Sequence, residues 1–243
     1  MKKDKSNTNL EQLEVFPLTQ QNDPYLKYVP IITESIDGQV THYVYIDKDI
    51  AEVEEYAELT HLLQTAGKSD VFVFNINTSG GLLHTVLQLI DAIMLTEATC
   101  YGSLSGTVAS AGTMLALAMD DLNIGFNLEF MVHYYSGGTV GKGNELQSQA
   151  DFSNKRFKEL YNNIYRGFLT QREINKVVNG TDIYLTSSEV TERWHKRLDL
   201  MQKAKQEAEK EAHQDYLDML SIELEEAGYE VTRKKKAEPK AQQ

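Results

Sequence analysis

Ser110 stands in "GTVASAGTMLALA", residues 106–118, among small residues and just ahead of an apolar run. A core helix has no need of that hydroxyl, and a loop has no need of so many alanines. At the first turn of a buried helix a serine faces open space, where the dipole and the free N–H groups favour a developing negative charge. That is how a nucleophile is presented. A hydroxyl nucleophile needs a base, and His133 in "FMVHYY" offers one near the end of a strand, beside aromatic residues. The base needs a carboxylate to orient it. Asp182 in "NGTDIYL" sits at a helix-to-strand junction, with Asp151 and Asp199 as alternatives. The N–H groups of Gly81 and Ala111 form a candidate oxyanion pair. Gly80 and Gly81 carry no side chain, so the backbone there can approach a ligand closely. Each residue also has a plainer role: Ser110 as a helix cap, His133 as a satisfied strand histidine, Asp182 as a polar helix end.

The elements that must position these residues alternate. Residues 1 to about 40 are polar, contain Pro17, Pro24 and Pro30, and read as an irregular arm. "THYVYI", residues 41–46, reads as a strand, and 51–66 has helical spacing ending at Gly67. "VFVFNIN", residues 71–77, is a nearly continuous apolar run, expected for a strand buried on both faces. "TSGG" breaks it, and 82–95 is helical. "ATCYGSL" reads as a strand, "SGTVAS" as a turn, "AGTMLALAM" as a short helix and "EFMVHYY" as a further strand. Helices follow over about 144–168 and in "QREINKVVNG"; "DIYLTSSEVTERWHKRL" begins as a strand and enters a helix capped by Thr186 or Ser187. Alternation of this kind implies right-handed crossovers, a mainly parallel sheet and an α/β fold, with functional loops at the carboxyl ends of the strands. From about Leu200 the chain becomes a charged helix with a thin apolar stripe, and its last dozen residues read as disordered.

Four segments carry a family resemblance. "NINTSGG", "GTVASAG", "MVHYYSGG" and "TDIYLTSSEV" resemble, in order and spacing, the signature segments of the ClpP-type serine peptidases, the proteolytic subunits of ATP-dependent Clp protease. In that family they read approximately INSPGG, GxAASMG, MIHQPxGG and RDxxxSAxEA. The resemblance runs from Tyr43 to about Asp199. It implies a spiral of ββα units, shared with the crotonases, and a peptidase domain over 41–199. It also implies a protruding handle at about 136–168, made of a glycine-rich strand and a long helix. Residue by residue it makes Ser110 the nucleophile, His133 the base and Asp182 its orienter. Gly81 and Ala111 become the oxyanion donors, and Gly80, Leu82, Gly137, Gly138 and Thr139 line the peptide groove. It implies heptameric rings, single or stacked in pairs, fed by an AAA+ unfoldase that alone uses ATP. The peptidase itself needs no cofactor. The chain departs from the pattern at Ser79, where the family has proline, at Tyr134 and Tyr135 for Gln-Pro, and at Thr181 for arginine. The arm over 1–40 does not match the family's axial loops, and the extension over 200–243 is longer than usual. Divergence of this kind suits a virus-encoded relative.

Composition narrows the alternatives. A net charge of −12 over 243 residues and a pI near 5.0 argue against a nucleic-acid surface. The single cysteine, Cys100, excludes an internal disulfide and reads as a core residue. His42, His61, His84, His195 and His213 show no metal-ligand spacing, so no metal is expected, and no phosphate-binding G-x-x-x-x-G-K-[ST] occurs. The N-terminus lacks the apolar stretch of a secretory signal, and no apolar run reaches the ~18 residues of a membrane span. A cytoplasmic protein is the expectation, in the host cytoplasm if virus-encoded. Beside the peptidase stand a catalytically silent scaffold subunit of the same fold and a crotonase-type acyl-CoA enzyme. A Ser–Lys peptidase of the signal peptide peptidase A kind lacks both its lysine and its membrane segment here.

Overall fold

The computed structural model describes residues 29–137, 140–227 and 229. A mixed seven-stranded sheet runs in the order β1-β2-β3-β4-β6-β7, with β5 also paired to β4. Strand β1 (Ile31–Ile36) and β2 (Gln39–Ile46) form an antiparallel hairpin. Its turn is Asp37-Gly38, both at positive φ, 52° and 82°. Asp-Gly matches the twist of the two strands at small steric cost. The arm expected over 1–40 is therefore a hairpin strand from Ile31 onward, led in by the buried Val29 and by Pro30, and its residues 1–28 lie outside the described residues. The hairpin signal was "IDGQV" between two β-branched runs.

From β2 the strands run parallel: β3 (Val71–Thr78) pairs β2 and β4 (Thr99–Ala109), and β4 pairs β5 (Asp121–Ile124) and then β6 (Glu129–Val132). A 3-10 turn over Val53–Tyr56 and α1 (Ala57–Thr65) follow β2; α2 (Leu83–Leu95) follows β3; α3 (Ala111–Ala116) follows β4. Beyond β6 come α4 (Gly143–Ile164), α5 (Gln171–Val178), β7 (Ile183–Thr186), antiparallel to β6, and α6 (Ser187–Glu226). One core joins them: Phe72, Phe74 and Ile76 of β3 pack with Leu59 and Leu63 of α1 and Val86 and Leu89 of α2.

Two sequence expectations change. β3 is buried on one face only; Phe72, Phe74 and Ile76 are sealed, whereas Val71, Val73 and Asn75 are half-buried. "SGTVAS" is not a turn. β4 runs through it to Ala109, because the strand absorbs two extra residues in a bulge: Ile76 pairs Leu104, but Thr78 pairs Val108. Gly106 takes φ 61° there, and Asn77 fills the gap by accepting the Thr107 N–H at Oδ1, 3.0 Å. A Cβ on Gly106 would lie 2.6 Å from that oxygen. The bulge lets one strand pair β5 with its first half and β6 with its second.

Thr186 is the N-cap of α6, its N–H donating to Glu189 Oε2 at 2.8 Å. The helix is continuous across position 200, where the domain was expected to end. Arg193 on α6 grips Glu173 on α5 with both guanidinium nitrogens, at 3.0 and 2.8 Å. The Arg193 hydrogen bond holds the Glu173 carboxyl down at about 2, against the cost of partial burial. A lowered carboxylate pKa stabilises the fold fully above its ordinary range near 4.5. That contribution is lost as pH falls toward about 2. Arg193→Ala should cost on the order of 1 kcal/mol in urea unfolding at pH 7, since both groups are partly solvated. The difference from the unsubstituted protein should shrink between about pH 4.5 and 2.

Candidate active site

Ser110 follows the carboxyl end of β4, an interior strand of the sheet. Its backbone takes φ 54°, ψ −125°, a combination that non-glycine residues rarely adopt and that costs on the order of 1–3 kcal/mol. The surrounding contacts over-determine it. The Ser110 N–H donates to the Met131 carbonyl of β6 at 2.9 Å. The Ser110 carbonyl accepts from the Thr113 N–H at 3.0 Å and from Thr113 Oγ1 at 2.6 Å. Thr113 is fully buried, and its hydroxyl lies 2.6 Å from the buried Tyr165 hydroxyl at the end of α4. With the Thr113 proton used on Ser110, Tyr165 is the donor of that pair. Burial pushes the Tyr165 phenol up, so it keeps its proton.

Gly80 closes the turn from the other side. A Cβ there would lie 2.7 Å from the Ser110 Cβ and 2.9 Å from the Ala109 carbonyl. Its N–H is bonded to Thr78 Oγ1 (3.1 Å) and its carbonyl to the Ile50 N–H (2.7 Å). Both of its backbone groups are thus used inside the turn, so Gly80 is a spacer behind Ser110 rather than a hand offered to a ligand. The Leu82 N–H donates to the Ile50 carbonyl at 2.8 Å. Gly81, between them at φ 146°, has no room for a Cβ against the Ile50 backbone. Its N–H takes no part in the bonds to Ile50. The Ala111 N–H is the first of the unpaired donors of α3.

His133 follows the last residue of β6 and is half-buried. Its carbonyl accepts from the Tyr161 hydroxyl of α4 at 2.7 Å. Tyr134 packs on Tyr161 with ring centroids 5.2 Å apart, and Tyr135 packs on Phe157 at 3.9 Å. Phe157, Tyr161 and Tyr165 recur every four residues on α4, so one helix face holds both the His133 segment and the Thr113 clamp. Asp182 is exposed and precedes β7 by one residue. Val132 pairs Ile183, so the antiparallel register carried one step further sets His133 across from Asp182. The backbone thus sets His133 opposite Asp182 and ties Ser110 to Met131, two residues before His133. Among the described residues no hydrogen bond joins their side chains. Gly137 lies open beside the histidine segment; Gly138 and Thr139 lie outside the described residues. Asp151 and Asp199 lie on α4 and α6, away from this register.

Sequence reasoning missed Thr113, Tyr161, Tyr165 and Asn77. The i, i+4 aromatic spacing from Phe157 to Tyr165 was the one visible signal. Among the described residues no group of three or more His, Cys, Asp or Glu is arranged to hold a metal, and no helix is long and apolar enough to cross a membrane.

A family profile described as Clp protease matches residues 33–193, about two thirds of the chain. The chain belongs to the Clp protease family. It is 27% identical over 122 residues to the ATP-dependent Clp protease proteolytic subunit 1 of Salinibacter ruber. That match covers 49% of this chain and 52% of the relative, so the chain spans about half the length of the curated relative it matches. A ClpP1 mutant from Listeria monocytogenes has the same fold, with a TM-score of 0.52 at 22% identity over 63% of this chain and 86% of the other. The sheet with its spiral of strands and helices, and the long α4, are thus the Clp protease fold in a divergent member.

Gly80→Ala should push Ser110 out of its turn and abolish its reaction with a fluorophosphonate. Thr113→Val should leave the Tyr165 hydroxyl unpaired, cost about 1–3 kcal/mol of stability, and slow the same labelling. The rate of adduct formation, followed by intact mass beside an unfolding curve, separates the two effects.

Proposed function

We propose that this Clp protease family member is a serine endopeptidase working through Ser110, His133 and Asp182. Ser110 Oγ attacks the peptide carbonyl, and His133 takes its proton and returns it to the leaving amine. Asp182 holds the imidazole tautomer and offsets the imidazolium charge. The Gly81 and Ala111 N–H groups receive the tetrahedral oxyanion. The observation that carries the reading is the strained Ser110 backbone at the first turn of α3, bonded to the strand that His133 directly follows. The fold bears the cost of that strain at a single half-buried serine, which a plain helix cap does not require.

In this reading the substrate is an unfolded or partner-delivered polypeptide, cleaved inside a chamber built from copies of the chain. The chamber is a heptameric ring or a stacked pair of rings, and an AAA+ unfoldase is the natural supplier of substrate. The chain's residues complete the reaction without a metal or organic cofactor. Catalytic hydrogen bonds are often loose before substrate or assembly tightens them, which accommodates an exposed Asp182. The same looseness favours a second reading, a silent scaffold subunit.

Fluorophosphonate labelling of size-fractionated protein, with peptide mass mapping, separates the two. A single adduct on Ser110 in an assembled fraction is expected, and Ser110→Ala should lose both the adduct and at least about 1,000-fold in peptide cleavage. No adduct in any assembled fraction, with the fold intact, would establish the silent subunit.

A further inference from the structure

Beyond the peptidase reading, α6 carries a face that nothing covers among the described residues. Val190 and Trp194 are buried and Leu198 is half-buried against the core, but past Asp199 no residue of the helix is buried. From Leu200 to Glu226 the helix therefore stands off the domain for about 40 Å. Six of its apolar residues form a stripe at three- and four-residue steps, Met201, Ala204, Ala208, Ala212, Tyr216 and Met219, while Leu217, Leu220 and Leu224 near the end lie off it. Met201, Tyr216 and Met219 are 51%, 54% and 52% exposed, more apolar surface than a solvated helix needs.

The stripe has a symmetry. Turned end for end about Lys210, it falls on itself: Met201 onto Met219, Ala204 onto Tyr216, Ala208 onto Ala212. Large residues then meet small ones at Tyr216 and Ala204, and alanines occupy the centre, where two helices approach most closely. The two halves differ in charge. Lys203 and Lys205 balance Glu207 and Glu209 in the first half, whereas residues 211–226 contain no lysine or arginine and carry Glu211, Asp215, Asp218, Glu223, Glu225 and Glu226. The end-for-end turn sets Lys205 against Asp215 on each side of the stripe, at the cost of Glu209 against Glu211 near the centre. A parallel pairing would set the acidic half against itself.

We propose that the projecting part of α6 pairs antiparallel with the same helix of a second copy, across a two-fold axis at Lys210. A contact of this kind is self-complementary and closes on a pair. Overlap from Met201 to Met219 is only about 27 Å long. The contact is therefore weak between two isolated copies and grows stronger where several copies are already held together.

The one native cysteine, Cys100, is fully buried in β4 and does not compete in a disulfide test. Full-length protein carrying Met201→Cys is co-produced with full-length protein carrying Met219→Cys and mildly oxidised. The expected result is a 201–219 disulfide-linked dimer in the mixture and none from either variant produced alone. Adding Lys205→Glu to both should reduce the yield severalfold, and adding Asp215→Lys as well should restore it. Equal cross-linking of each variant with itself would overturn the antiparallel register. Absence of any cross-link, with helical content by circular dichroism unchanged, would overturn the pairing altogether. Neither outcome depends on whether Ser110 is reactive.

Discussion

The backbone of Ser110 cannot rest at φ 54° by itself; something must hold it there against a cost on the order of 1–3 kcal/mol. Three separate parts of the fold supply the restraint. Strand β6 takes the N–H through Met131, Thr113 takes the carbonyl twice, and Gly80 leaves just enough room for the Cβ. The strained turn thus depends on the whole sheet being in register, and the presentation of the hydroxyl depends on the strained turn.

The register itself rests on a defect. A regular β4 could not pair β5 over Tyr101–Leu104 and β6 over Thr107–Ala109 on the same side. The two-residue bulge at Gly106, sealed by Asn77, separates the two pairings and sends β6 past the end of β4. Only then does the Met131 carbonyl reach Ser110, and only then does β7 bring Asp182 opposite His133. Helix α4 completes the frame. Tyr161 fixes the His133 carbonyl and Tyr165 supports Thr113, so one aromatic face steadies two of the candidate residues at once. Arg197 of α6 ties this frame down by donating to the Leu117 and Arg166 carbonyls, each at 3.2 Å, beyond the ends of α3 and α4.

The polar surface left by this arrangement is uneven. One face of β3 is sealed under α1 and α2, whereas Val71 and Val73 on the other are half-buried. The projecting α6 adds a long charged rod whose apolar stripe is exposed among the described residues. Both features fit a chain that completes its burial against other copies of itself.

The sequence by itself determined the α/β class, the order of most elements, the family, and which serine, histidine and aspartate to watch. These follow from local facts: apolar period, turn residues and short motifs whose meaning does not depend on distant parts of the chain. It was silent where the outcome depended on residues far apart. "SGTVAS" reads as a turn from its own composition, and becomes strand only because Asn77, thirty residues away, fills the bulge. Gly80 and Gly81 look alike in "TSGG", yet the Ile50 backbone and the Ser110 Cβ give them different tasks. Thr113, Tyr161 and Tyr165 carry no motif at all; their roles exist only because α4 crosses beneath the ends of β4 and β6. Residue types are written in the chain, but a hydrogen bond across fifty residues is decided by packing, and packing belongs to the tertiary structure.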